Sequence, residues 1–91
     1  DFVLTLVEAF AEEAPQLIAG LREAAAAGDA ERFETAAHTL KSNGVAFGAT
    51  RLAEMARQLE RQGPSAGGAA VQALADELDA TLLALRALAR Q

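Results

Sequence analysis

Cysteine, tryptophan and tyrosine are all absent from this chain of 91 residues. Without cysteine there is neither a disulfide scaffold nor a thiolate-ligated zinc site. β-Branched residues are scarce: four Val, one Ile and five Thr. Ala and Leu dominate the hydrophobic 52 % instead, a composition that favours helix over strand. No uncharged run reaches the ~18 residues that a bilayer span needs. Excess positive charge is missing too. The net charge of −5 argues against nucleic acid or an anionic membrane as the partner. At 91 residues the chain has room for one domain, and none for separate nucleotide-binding and substrate domains. It begins Asp1-Phe2-Val3-Leu4, with neither Met nor the basic start of a signal peptide. The expectation is a single helical domain over residues 1–91, excised from a longer chain and cytoplasmic.

What the chain does have is apolar residues at helical spacing. Val3, Val7, Phe10, Ala14, Leu17 and Leu21 make one stripe. Pro15 falls inside it and removes a backbone donor, so the first helix is expected to kink there or to break and restart. Gly28 stops the segment, and Asp29 suits the N-cap of the next helix. A second stripe holds Phe33, Ala36, Ala37, Leu40, Gly44 and Phe47, and ends at Gly48. Leu52, Met55, Ala56 and Leu59 mark a third helix. Gln62 to Gly68 reads as a loop. Val71, Leu74, Leu78, Thr81, Leu85 and Leu88 then form a heptad-like seam. No segment alternates with period two. The pattern predicts an all-α, antiparallel up-down four-helix bundle.

His38 is the only histidine. At about 100° per residue, Phe33, Ala36, Leu40, Gly44 and Phe47 fall roughly 160–240° away from it. His38 therefore stands opposite the apolar face, among Glu34, Thr35, Lys41, Ser42 and Val45. A neutral imidazole keeps a lone pair on one ring nitrogen, and an exposed one can act as a nucleophile and carry a covalent intermediate. Lys41 would bring positive charge to an arriving phosphoryl group. Ser42 is small and leaves space for another protein.

The run His38-Thr39-Leu40-Lys41-Ser42-Asn43-Gly44-Val45-Ala46-Phe47-Gly48-Ala49, followed by Leu52 and later Leu59-Glu60, resembles the motif of the histidine phosphotransfer (HPt) domain. That motif combines a His-x-x-Lys pair, small residues and a Gly-Ala break at fixed spacing. The resemblance implies a four-helix bundle whose exposed histidine takes a phosphoryl group from a receiver-domain aspartyl-phosphate and passes it to another receiver. It further implies that Mg²⁺ and the acidic pocket belong to the receiver. This chain would supply His38, Lys41 and a docking face of Glu34, Thr35, Ser42 and Val45. Two positions depart from the pattern. Ser42 stands where the family usually has glycine. Glu60 stands where some members place a glutamine near the ring. A carboxylate at that position either orients the ring through its δ nitrogen or is simply solvated.

Other features are expected to be structural. Gly44 faces the core and suits close helix packing; the Pro64–Gly68 segment lacks the residues of a phosphate loop. Asp76, Glu77 and Asp79, like Glu12 and Glu13, read as solvated faces, and no metal site is expected. Nucleotide and kinase motifs are absent, so the chain is expected to be a phosphocarrier and not an enzyme, even where its parent is a hybrid sensor kinase tethered to a membrane. Two other readings stand beside the phosphorelay. One is the substrate domain of a chemotaxis-type histidine kinase. The other is an interaction or dimerisation bundle that makes no use of His38.

Overall fold

The computed structural model describes residues 1–91. Helix α1 (Phe2–Ala27) starts on the Asp1 side chain, which accepts from the Val3 amide at 3.0 Å. It ends at Gly28, whose left-handed backbone (φ 67°) lets the Gly28 and Asp29 amides reach the Ala25 and Ala24 carbonyls. Asp29 then caps α2 (Ala30–Ala46) by accepting from the Arg32 amide at 3.1 Å. The same glycine device ends α2. Gly48 (φ 70°) turns the chain so that its own amide and that of Ala49 close on Val45 and Gly44. Helix α3 (Thr50–Gln62) follows at once, without a side-chain cap. Gly63–Ala66 form a short 3₁₀ turn, and α4 (Gly68–Ala89) completes the bundle. The segment expected as a loop is thus nearly all helical.

The expected bundle is present: four helices and no strands. Neighbours run α1–α2–α3–α4 around a square, with α1 diagonal to α3 and α2 to α4. Of the two outcomes expected at Pro15, the restart does not occur, because α1 continues through it as one element. Pro15 is exposed, and its missing amide leaves the Ala11 carbonyl, one turn earlier, without its usual donor.

The core is built from Phe10, Ala14, Leu21, Phe33, Ala37, Leu40, Leu52, Ala56, Leu59, Val71, Leu74 and Leu78. Ile18 and Leu82, outside the stripes read from the sequence, are buried as well. Val3 and Leu88, inside them, are 54 % and 63 % exposed. The reason is length. Twenty-six residues of α1 span about 39 Å at 1.5 Å per residue, close to the 42 Å long axis of the molecule. Phe47, just past the end of α2, stacks on Phe10 with ring centroids 5.2 Å apart. The first turns of α1 and the last turns of α4 therefore run beyond the α2–α3 turn. There the two helices are joined by the Glu8–Arg86 pair. No helix is long and apolar enough to cross a membrane.

At the α2–α3 contact a Cβ added to Gly44 would stand 2.9 Å from the Ala53 nitrogen and 3.0 Å from its Cα. The two helices touch backbone to backbone. This close approach sets the distance across which side chains of α2 and α3 meet.

Candidate functional site

His38 lies midway along α2 with its side chain 57 % exposed, while Ala37 and Leu40 beside it are fully buried. From α3, two residues before the helix ends, Glu60 reaches across. Its Oε2 is 2.8 Å from His38 Nδ1, and its Oε1 accepts from Lys41 Nζ at 2.8 Å. One carboxylate thus bridges a histidine and a lysine that are one helical turn apart. Glu60 is not simply solvated: its side chain is 18 % exposed. Lys41 differs from the sequence reading. Its side chain is only 28 % exposed, and its ammonium is engaged by Glu60 instead of standing free on the outer stripe.

The two donors hold the Glu60 carboxyl below the ordinary carboxylate range, Lys41 contributing more than His38 and partial burial opposing both. An ionised carboxylate only accepts, so the proton shared at 2.8 Å belongs to Nδ1. The neutral ring then keeps its lone pair on Nε2.

Glu34, Thr35, Ser42 and Val45 are all exposed on the same side of α2 as His38, Val45 at 69 %. Glu34 and Thr35, with Glu31, Thr39 and Glu60, line an open groove of ≈ 450 Å³ at the ring. This groove runs into a crevice between α1 and α2 that Gln16 and Gly20 also line. Glu31 was legible as a neighbour, two turns before His38 on the same face; the α1 residues carried no signal in the sequence. No group of three or more His, Asp or Glu side chains converges to hold an ion. Two of the carboxylates read as solvated have partners: Glu77 pairs with Arg51 at 3.1 Å, and Glu13 accepts from Asn43 at 3.3 Å.

A helical bundle presenting one exposed imidazole, braced from behind by a carboxylate, is the form of a phosphocarrier module. The family model of the Hpt domain matches residues 5–88, and the chain belongs to that family. Comparison with curated proteins and with solved structures gives no match. Membership carries a coarse role: a histidine phosphotransfer module of two-component phosphorelays, whose partners are receiver domains. Such modules carry phosphoryl groups and are not classical enzymes.

Proposed function

We propose that His38 Nε2 takes a phosphoryl group from the aspartyl-phosphate of one receiver and gives it to the aspartate of another, in the cytoplasm. The observation that carries this reading is the Glu60–Nδ1 bond, which leaves the exposed Nε2 as the nucleophilic nitrogen. In the transfer the Nε2 lone pair forms the N–P bond as the aspartyl O–P bond breaks, and the carboxylate leaves. Nδ1 keeps its proton throughout, so positive charge develops on the ring, and Glu60 is placed to stabilise it without itself being protonated. Phosphoryl transfer depends on positioning and on neutralising the moving charge. The receiver supplies Mg²⁺ for that purpose; this chain supplies a fixed ring and a cation, Lys41, one carboxylate away. Glu34, Thr35, Ser42 and Val45 form the docking face around the ring.

The test is incubation with a panel of receivers pre-loaded with phosphate in Mg²⁺. At least one should transfer an acid-labile, base-stable label to the wild-type chain and none to His38→Gln. No transfer from any receiver, or full labelling of His38→Gln, overturns the assignment.

A further inference from the structure

The ring of His38 forms one wall of an open groove whose other walls are Glu31, Glu34, Thr35, Thr39 and Glu60. Long side chains on a helix lean toward its N-terminus, which lays the imidazole over the turn that carries Glu34 and Thr35. No basic residue lines this groove. Both cations of α2 are committed elsewhere, Arg32 to Glu23 at 3.3 Å and Lys41 to Glu60 at 2.8 Å. On α3, Arg51 pairs with Glu77 and Arg57 with Glu54, while Arg61 does not line the groove. Helix α1 turns only the uncharged Gln16, Leu17 and Gly20 toward the adjoining crevice. Glu31 and Glu34 are exposed, and neither pairs with a cation. Acceptance forms the Nε2–P bond as the aspartyl O–P bond breaks, so a PO₃⁻ unit moves. The receiver loses one negative charge, and the groove gains one beside two carboxylates that have no counterion. We infer that Glu31 and Glu34 set the transfer potential of His38: they raise the free energy of the phosphorylated ring relative to the free ring, so the group is passed on and not stored. This role rests on the proposed acceptance at Nε2.

An equilibrium constant separates this role from docking. A contact that only helps a receiver dock, or only stabilises the transition state, changes forward and reverse transfer alike and leaves their ratio where it was. That ratio is measured with one labelling receiver in Mg²⁺ at low ionic strength. Glu34 and Glu31 stand about one and two helical turns from His38, where a unit charge in water is worth roughly a twofold change in the constant. Phosphorylation of His38 should therefore be favoured about twofold in Glu34→Gln, and about fourfold in both Glu34→Lys and the double variant Glu31→Gln/Glu34→Gln. Added salt should shrink these differences. Asp79→Asn on α4, diagonal to α2, should leave the constant unchanged. A wild-type constant in Glu34→Lys and in the double variant overturns the inference, even where the rates change. The second readout needs no receiver. Phosphoramidate loads an imidazole chemically, with ammonia leaving, and phosphorus-31 NMR then follows the titration of the bound phosphoryl group. Neighbouring carboxylates raise that titration, so it should fall by about 0.3 pH units in Glu34→Gln and about 0.6 in the double variant. An unchanged titration overturns the inference. If no receiver labels the wild type, the proposed function fails and the phosphoramidate-loaded protein still decides the role of the two carboxylates. A ring that neither donor loads overturns both.

Discussion

Three side chains from two helices carry the site, and each has a separable share. His38 is exposed opposite the packed face of α2, so His38→Gln should leave helical circular dichroism and thermal unfolding within the ~0.5 kcal/mol typical of surface substitutions while acceptance disappears. A fall in stability of several kcal/mol would mean that the ring helps hold the bundle. Glu60 makes the arrangement sensitive to acid. Its carboxyl is held below the ordinary range, so the bracing of the ring is complete at neutral pH and persists below the unperturbed glutamate value of about 4.3. It is lost only as pH falls through the lowered value. Imidazole NMR in Glu60→Gln should already show a mixture of tautomers at neutral pH. Wild type should keep the proton on Nδ1 at neutral and mildly alkaline pH, where an imidazole ring is neutral and its tautomer can be read.

The element that sets the site's dimensions is the α2–α3 hairpin. Gly44 is buried against the Ala53 backbone, and Glu60 lies on the same helix as Ala53. Gly44→Ala gains about 1 kcal/mol of helix propensity, but a methyl group against backbone atoms forces the helices apart, and overpacking of this kind costs about 1–3 kcal/mol. The expected result is a net loss of stability in urea unfolding together with slower acceptance, as α3 carries Glu60 away from the ring. Stability equal to wild type would show that α3 yields without cost. Phe47 anchors the other end of the hairpin on Phe10. It is half-buried, so Phe47→Ala should cost about 2–3 kcal/mol, less than the ~3–5 of a fully enclosed phenylalanine. Chemical denaturation measures it directly.

Across the molecule, the helices of unequal length are joined by ion pairs where packing thins. Arg86 holds Glu8 with two nitrogens, at 2.7 and 3.1 Å, joining α4 to α1 toward the end of the bundle where the α2–α3 turn lies. The arginine keeps the Glu8 carboxyl below its ordinary range, chiefly by hydrogen bonding. A carboxylate whose value is lowered by folding adds stability above the unfolded value, and that contribution is lost as pH falls through the folded one. Wild type should therefore unfold at higher temperature than Glu8→Gln near neutral pH, and the gap should close below about pH 4. A gap unchanged in acid would make the tie one of packing alone. High salt should narrow the gap too, because both partners are partly exposed.

Much was decided by sequence alone. Helical period, the glycines at 28 and 48, the Asp29 cap and the outward face of His38 are local properties: each depends on residues within a turn or two of one another. The buried face of α2, from Phe33 to Gly44, follows from the same arithmetic. The tertiary structure decided the rest. Val3 and Leu88 carry the right spacing for a core, yet lie bare because no neighbouring helix extends far enough to cover them. Glu60 is 22 positions from His38 and 19 from Lys41, and nothing in the spacing says which of its two open roles it takes. That depends on how closely α3 approaches α2, and a backbone contact at one glycine brings the carboxylate within hydrogen-bonding distance of both partners. Helical phase places a side chain on a face; only the packing of a second helix determines what that side chain meets.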